Sequence, residues 1–573
     1  MAHPCFPRTG RVAGFALVAL SAIVLAPLIP TTLVDFHLPG TQVGDIGPWV
    51  IGVSDNCRYC HSDYDAENEP YATWAGSLMG QAGRDPLFFA QMTTANQDVA
   101  NVGYFCMRCH VPMSFITGHA LQPDGSTLDH VDADGITCHF CHSMVDPVYK
   151  PGVSPPQDLA ILRGLESVPG DYGNAMFVLD PNGTRRGPYS DVAAPHNFIY
   201  SPFHRTSEFC GTCHDVGNVA VTRTLDGAFK VSGYTYNVLD QPAPEANLCA
   251  QFPLERTYTE WKLSAFARGG VDMGERYPVS PGARIETCQD CHMPTAVAKG
   301  CVFGPERSDL RRHDFAGAGA SVLDLIAEFT KDDPNVDQAH LRAGKRKSLL
   351  MLRKAASLEV RQAGGELLVR IVNETGHKLP TGHIEGRRVW INVRYFDGAD
   401  RLIGEFGHYD YEHAELDEIT TRVYEMHVGL SPEAANLTGL PPGPTTHMAL
   451  ADIIVKDNRI PPRGFSNAAF EDCGGPVVGA TYADGQYWDD VAYPIVRGAT
   501  RAEVTAYYQN LPRHYIEALR DGNHTDDWGQ VLYDLWEKTG KGAPIPMVSA
   551  SLPIHPLGAH PPDVGLRPGR TRP

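Results

Sequence analysis

The residues best suited to chemistry in this chain are ten cysteines, which occur in pairs separated by two residues and followed at once by a histidine. The pattern Cys-x-x-Cys-His is present five times, beginning at Cys57, Cys106, Cys138, Cys210 and Cys288. Two thiols on one helical turn can each form a thioether with a vinyl group of haem, and the next histidine can bind the iron. The spacing therefore predicts five sites of covalent c-type haem attachment.

Each predicted site has two cysteines that would hold the macrocycle and one histidine that would be the proximal iron ligand. The ten cysteines are Cys57, Cys60, Cys106, Cys109, Cys138, Cys141, Cys210, Cys213, Cys288 and Cys291. The five proximal ligands are His61, His110, His142, His214 and His292.

Zinc sites and a disulfide framework are the alternatives for such cysteine pairs. Structural zinc takes four ligands, usually from two separated pairs, and neither zinc nor disulfides require a histidine after every second cysteine. Haem is therefore the favoured interpretation. Of the four remaining cysteines, Cys5, Cys249, Cys301 and Cys473, the pair Cys249 and Cys301 brackets the fifth motif and could form a disulfide, which the sequence does not decide.

The second axial ligand decides what each predicted haem can do. An iron with a second histidine or a methionine passes electrons, whereas an open iron can bind a small molecule. Our candidates for second ligands are His196, His204, His313, His377 and Met79. Each has a plainer alternative, a surface, turn or hydrogen-bonding histidine, or for Met79 a packing role. We rank His119, His130, His139 and His383 below them.

Composition and the N-terminus limit the partners and the location. The net charge of −19 argues against nucleic acid as a partner and is compatible with a basic redox protein. Arg8 and Arg11 precede an apolar run over residues 12–29. This layout predicts a secretory signal peptide or a membrane anchor within residues 1–35. Both place the body of the chain in the periplasm or outside the cell, a setting that suits covalent haem attachment.

The helices and strands that must position the motifs differ between the first and second parts of the chain. The length of 573 residues predicts two or three domains. Residues 36–334 are rich in Gly, Pro, Asp and Asn, with short helical patches at 71–83, 87–100 and 257–267. We expect a loop-rich, mainly α domain wrapped around five haems, which would form its interior. A connecting helix over 335–356 carries the basic residues Arg342, Lys345, Arg346 and Lys347, either a docking face or a solvated surface.

After residue 357 the sequence changes to segments in which apolar and polar residues alternate. Two alternating runs flank Gly364-Gly365, and further short strands follow to about residue 508. This is typical of an antiparallel β-sandwich-like domain over 357–550, with helices near 515–520 and 530–538. Residues 551–573 predict a disordered, Pro-rich tail. The predicted fold class is α+β multidomain.

Several segments resemble those of periplasmic multihaem c-type cytochromes. Besides the five motifs, these are residues 74–79 (WAGSLM), 84–88 (RDPLF), 209–216 (FCGTCHDV), 376–382 (GHKLPTG) and 457–464 (DNRIPPRG). The resemblance implies electron transfer along closely spaced haems with His-His or His-Met coordination. Ammonia-forming nitrite reductases also carry five haems, but their catalytic motif typically ends in lysine, and no Cys-x-x-Cys-Lys occurs here.

These observations predict an exported cytochrome that passes single electrons along five haems between redox protein partners. The alternative is a multihaem oxidoreductase that acts on a small nitrogen or sulfur compound at one open haem. A third hypothesis is a structural haem-bearing subunit of a respiratory complex.

Overall fold

A computed structural model describes residues 27–47, 50, 52–225, 231–244, 246–277, 284–473 and 475–555. Most of the predicted signal or anchor segment, and the predicted tail from residue 556, lie outside the described residues. Within the described ranges, no helix is both long and apolar enough to cross a bilayer.

The first half contains the five motifs among short helices and small sheets. Its α-helices are Asp55–His61, Pro70–Ala75, Pro86–Asp98, Val102–His110, Pro112–Thr117, Cys138–Cys141, Asp158–Arg163, Ser207–Gly211, Thr257–Lys262, Cys288–His292 and Ala320–Phe329. Its 3-10 turns are Leu33–Phe36, Ala82–Arg84, His119–Leu121, Asp132–Asp134, Pro202–Arg205, Leu248–Ala250 and Gly274–Arg276. Its strands are Met144–Val145, Val178–Leu179, Arg185–Gly187, Phe198–Tyr200, Val216–Leu225, Val231–Tyr236, Gln251–Glu255, Thr295–Lys299 and Glu306–Arg311.

The strands of the first half were not predicted from the sequence. Gln251–Glu255 and Val231–Tyr236 flank Val216–Leu225 in an antiparallel sheet, and Thr295–Lys299 pairs with Glu306–Arg311. Both sheets have bulges, and these irregular registers hide the alternation of side chains that would reveal a strand. The first half therefore mixes helices and sheets and is not mainly α.

One predicted helix, over residues 71–83, ends early. Helix Pro70–Ala75 stops at Gly76, where the chain meets the connecting helix Gln338–Lys354. A Cβ atom on Gly344 of that helix would lie 1.7 Å from the carbonyl oxygen of Gly76, so only glycine permits this approach. Met79 consequently lies in a turn and not on a helix.

The connecting helix begins where Asp337 accepts a hydrogen bond from the backbone N–H of Ala339 at 2.7 Å, a normal N-cap. Two of its six Lys and Arg residues are paired with acidic side chains that precede the helix. Lys345 lies 2.7 Å from Asp324, and Lys347 lies 2.5 Å from Asp314. These two lysines therefore hold the helix to the first half.

The second half is built on two antiparallel sheets. The first contains Ala356–Ala363, Glu366–Asn373 and Trp488–Pro494 in that order, with the predicted hairpin at its edge. The second contains Leu402–Phe406, Arg388–Phe396, Arg501–Gln509 and Ile545–Pro553, and Val423–Tyr424 also pairs with Arg388–Phe396. Inward side chains of both sheets share one apolar cluster, for example Val369 with Ile391 and Val504.

Smaller elements complete the second half. Its helices are Pro432–Thr438, Asn467–Asp472, Arg513–Gly522 and Trp528–Lys538, with the 3-10 turn Met448–Leu450. Its other strands are Tyr409–Asp410, Glu415–Leu416, Met426–Leu430, Gly443–Pro444 and Ile453–Asp457. The two helices predicted near residues 515–520 and 530–538 are thus present. Strand Ile545–Pro553 extends past residue 550 into the segment predicted as a tail.

The two halves pack against each other at several places. The ring of Trp528 stacks on Phe89 at 4.7 Å, and the hydroxyl of Tyr515 donates to Gln91 at 2.9 Å. The apolar cluster of the first half also contains Leu430 and Leu450 from the second. It includes Ile29 as well, so the folded body begins before the predicted boundary at residue 35. The predicted domain limits are not limits of packing.

The disulfide that the sequence left open between Cys249 and Cys301 is not formed. Cys249 is bonded to Cys473, which is 224 residues away, and Cys301 is a free thiol. The partner is selected by tertiary structure, because Arg223 donates to the carbonyl oxygens of both Cys249 and Asp472. Sequence proximity to the fifth motif gave no such information.

Candidate haem-binding core

Each of the five motifs includes residues of a short helix, and the helices of the third and fifth motifs are capped by side chains. The hydroxyl of Thr137 accepts a hydrogen bond from the N–H of Phe140 at 3.1 Å, which caps the third motif. Thr287 and Asp290 form a capping box around the fifth. All ten motif cysteines are free and half-buried. Each Cys-x-x-Cys-His turn therefore presents two thiols and a ring from one rigid turn.

Contacts between thiols show which motifs are neighbours. Cys57 lies close enough to Cys138 to raise the pKa of the Cys138 thiol, which places the first motif beside the third. The same relation holds for Cys109 with Cys213 and for Cys210 with Cys288. The first motif is therefore beside the third, and the fourth is beside both the second and the fifth. Cys141 also acts on the pKa of Cys210, so the third and fourth motifs are neighbours as well.

Three of the motif histidines are oriented as metal-binding histidines usually are. The Nδ1 atom lies 2.7 Å from the carbonyl oxygen of Gly300 in His61, of Arg186 in His142 and of Ala316 in His292. An Nδ1–H that donates to a carbonyl fixes the tautomer and leaves the Nε2 lone pair for a metal. Burial also lowers the pKa of His142 and His292, which favours the neutral, ligating form.

The histidines of the second and fourth motifs have different surroundings. The ring of His110 stacks on Phe88 at 4.1 Å between centroids. His214 places its Nδ1 3.3 Å from a carboxylate oxygen of Glu255. Burial acts to raise the pKa of Glu255, but the hydrogen bond to His214 and nearby cationic groups lower it to about 2. Glu255 was not a candidate from the sequence, because nothing in its local pattern marks it.

His313 lies near the first and third motifs. Its ring centroid is 6.1 Å from that of His142, and its buried Nδ1 has no hydrogen-bond partner. Burial lowers the pKa of His313 to about 3, and His142 and His61 act in the same direction. Asp314 holds the loop through ion pairs with Arg312 and Lys347. A neutral buried ring with an unpaired nitrogen is costly unless that nitrogen gains a partner such as a metal.

His204 lies close to the third motif as well. Its ring centroid is 5.8 Å from that of His142, with the planes 16° apart. Two imidazole nitrogens at about 2 Å from one ion put their ring centres about 6 Å apart, so His204 and His313 both meet this distance. The Nε2 of His204 lies 3.1 Å from the carbonyl oxygen of Cys141, whereas its Nδ1 is buried without a partner.

His377 belongs to the second half but lies near the fifth motif. Its Nδ1 is 3.0 Å from the carbonyl oxygen of Lys378, which leaves Nε2 as the remaining lone pair. Burial lowers the pKa of His377 to about 4 against this hydrogen bond, and nearby His292 adds to the decrease. The loop thus brings a neutral imidazole from the β-rich half towards the fifth motif.

A buried ion-pair network holds the loop of His377. The Nζ of Lys378 lies 2.6 Å from Asp457 and donates to the carbonyl oxygen of Gly475 at 2.9 Å. Arg459 pairs with both Asp457 at 2.7 Å and Glu260 at 3.1 Å. Glu260 lies on helix Thr257–Lys262 of the first half, and it accepts from the Lys378 N–H at 3.0 Å. The network therefore joins both halves beside His377.

The other sequence candidates are placed less favourably. His196 is exposed, and its Nδ1 lies 3.3 Å from the carbonyl of its neighbour Asn197. The carbonyl of Met79 accepts from the N–H of Ile136 at 3.1 Å, which fixes the turn but not a role for the sulfur. Neither residue is brought into a described contact with a motif histidine.

Three histidines ranked low from the sequence are also resolved. His139 lies 2.5 Å from the guanidinium of Arg185, and His119 lies 2.7 Å from Asp132. His383 is different, because it shares the surroundings of His110, Glu255 and Arg387. Burial lowers the pKa of His383 to about 4. Its place on the same Gly- and Pro-bounded loop as His377 was the signal that could have raised its rank.

Comparisons with known proteins give little beyond this geometry. No protein-family model matches the chain, and no curated protein matches it. Among solved structures, the crystal structure of a penta-heme cytochrome c552 from Thermochromatium tepidum has 16% sequence identity and a TM-score of 0.47. The alignment covers 89% of this chain and 100% of that chain. At this level the likeness by itself establishes neither a family nor an activity.

Proposed function

We propose that this chain is an exported multihaem cytochrome c that passes single electrons along five covalently bound haems between redox protein partners. The observation that carries the proposal is the anchoring of His61, His142 and His292, each with Nδ1 on a distant carbonyl and with a half-buried pair of cysteines beside it. Disulfides would not need this orientation of three separate rings, and structural zinc would not need a histidine directly after every second cysteine.

The residues of each motif would divide the work of holding the cofactor. The two thiols would form thioethers, which fix the position of the macrocycle without reliance on its affinity, and the histidine would ligate the iron. Bound haem supplies an iron that gains or loses one electron. The closeness of these thiols supports exchange between the first and third sites, and between the fourth site and both the second and the fifth.

The second axial ligands favour a carrier over a catalyst. Neutral, buried imidazoles lie near several motifs: His313 and His204 near the third, His377 near the fifth, and His383 near the second. A second histidine closes the iron to small molecules and leaves electron transfer as its function. On this account the exposed His196 is not a ligand, and Met79 stays a candidate for a site without a second histidine.

Export and partners complete the proposal. The basic and then apolar N-terminal sequence supports transport to the periplasm or the cell exterior, by a cleaved signal or with a retained anchor. The acidic chain, at net charge −19, would suit a partner with a basic docking surface.

Optical spectra of the exported protein, recorded with and without carbon monoxide, test the proposal. Five six-coordinate haems predict a low-spin spectrum that carbon monoxide does not change. A fraction near one fifth that is high-spin and binds carbon monoxide would instead support the oxidoreductase with one open iron. Spectra without haem absorption would exclude both functions.

A further inference from the structure

The hydrogen-bond acceptor for Nδ1 is not the same at every motif. His61, His142 and His292 each have a backbone carbonyl at 2.7 Å, which is a neutral acceptor. His214 of the fourth motif has the carboxylate of Glu255 at 3.3 Å. Among the proximal histidines with a described Nδ1 acceptor, His214 is the one with a charged acceptor.

The fold fixes the contact between His214 and Glu255 through a strand pair. Strand Val216–Leu225 begins two residues after His214 and pairs antiparallel with Gln251–Glu255, so that Val216 lies opposite Glu255. The backbone N–H of Tyr258 donates to the carbonyl of His214 at 2.9 Å, which continues this alignment. The hydroxyl of Thr257 donates to the same carboxylate oxygen at 3.2 Å. Glu255 is therefore held from two sides.

A carboxylate that accepts from a ligating histidine makes the imidazole a stronger donor to the metal. A more basic ligand stabilises the ferric iron more than the ferrous iron, which lowers the reduction potential. We propose that Glu255 is a positioning residue that lowers the reduction potential of the haem held by Cys210 and Cys213. This inference rests on the proposed function.

The fourth motif lies between two others, so a lowered reduction potential at its haem would affect electron transfer to its neighbours. Its cysteines contact the second motif through Cys109 and the fifth through Cys288. Glu255 would therefore raise the energy of an electron on this haem, which lies beside both the second and the fifth sites.

A redox titration of the five-haem protein, followed by absorbance, tests the inference with Glu255→Gln. Glutamine keeps the size and an acceptor oxygen but removes the charge. We expect one component, about one fifth of the haem absorbance, to rise by about 59 mV, the equivalent of a tenfold change for a one-electron couple. Glu255→Asp retains the charge and should give less than half that rise.

Asp410→Asn is the matched control. Asp410 lies 2.7 Å from Nδ1 of His413, an exposed carboxylate–histidine pair outside the motifs, so its loss should leave all components in place. If Glu255→Gln binds five haems and its titration is unchanged, the inference about Glu255 is overturned but the proposed function is not. Equal shifts in the Gln and Asp variants, or shifts in all five components, would also overturn the inference. If Glu255→Gln does not mature with haem, Glu255→Ala, which also removes the charge, takes its place in the titration, and the same rise of one component is expected. Wild-type protein without haem would overturn the proposed function.

Discussion

At the scale of the residue, the chemistry depends on which nitrogen of each histidine is free. The Nδ1 atoms of His61, His142, His292 and His377 all lie within 3.0 Å of a backbone carbonyl. The four carbonyls belong to unrelated segments, so the shared arrangement is not produced by one local motif. Each ring is left with Nε2 as its lone pair for a metal.

His377→Ala tests the residue that would join the second half to a haem. Removal of a second axial ligand leaves one iron five-coordinate, and such an iron is high-spin and binds carbon monoxide. We expect about one fifth of the haem to change in this way, as measured by the absorbance change with carbon monoxide. His196→Ala is the control, because His196 is exposed. A fully low-spin His377→Ala protein would show that His377 is not a ligand.

Glu425, which lies outside the motifs, should make the stability of the protein depend on pH. Burial acts to raise its pKa, but the hydrogen bond and charge of His427 and the charge of Lys456 lower it from 4.5 to about 2. Because the folded-state pKa is lowered, the stabilisation is present above pH 4.5 and is lost as the pH falls towards 2. At about 1.4 kcal/mol per pKa unit, the contribution is about 3 kcal/mol.

Denaturant unfolding of wild type and Glu425→Gln at a series of pH values measures this contribution. The difference in unfolding free energy between the two proteins should be largest near neutral pH and shrink below pH 4.5. A difference that is independent of pH would mean that the charge of Glu425 does not contribute.

At the scale of the element, the loop between strands Glu366–Asn373 and Arg388–Phe396 depends on a buried cation. Lys378 is fully buried against Asp457. Lys378→Met should leave Asp457 partly uncompensated and cost about 3–5 kcal/mol of unfolding free energy, the usual result of breaking a buried pair. It should also loosen His377 and raise the high-spin fraction.

Lys331→Met is the control for that variant. Lys331 forms an exposed ion pair with Glu328 at 2.8 Å, and such surface pairs contribute little to stability. Chemical unfolding and the absorbance spectrum check both variants. Equal losses in the two proteins would exclude a special role for the buried network.

Many of the helices and strands could be predicted from the local sequence. Alternation and Gly364-Gly365 gave the hairpin of Ala356–Ala363 and Glu366–Asn373, and helix Pro86–Asp98 has Asp85 as its cap and Pro86 at its first position. The motif spacing gave all ten cysteines and five histidines as candidates. What local sequence does not contain is contact between distant segments, such as Glu255 with His214, Gly76 with Gly344 and Cys249 with Cys473.

At the scale of the whole molecule, the two halves are joined by packing, by ion pairs and by one disulfide. Cys249–Cys473 closes a loop of 224 residues between the halves. Loops of this size predict a stabilisation of about 2–5 kcal/mol. Cys249→Ser with Cys473→Ser should therefore lower the thermal midpoint and remove its sensitivity to reductant, as measured by thermal unfolding.

Cys301→Ser is the control for the loss of the disulfide, because it replaces a free, half-buried thiol. It should leave the midpoint and its response to reductant as in the wild type. A wild-type midpoint that does not respond to reductant would contradict a stabilising role for the Cys249–Cys473 bond.

The central claim is that ten thiols carry five haems, and the intact mass of the exported protein tests it most directly. We predict a mass that exceeds that of the mature polypeptide by five haem groups under denaturing conditions, because thioethers survive unfolding. Replacement of both cysteines of any one motif by alanine should remove one such increment. A mature polypeptide with no added porphyrin mass would contradict the account.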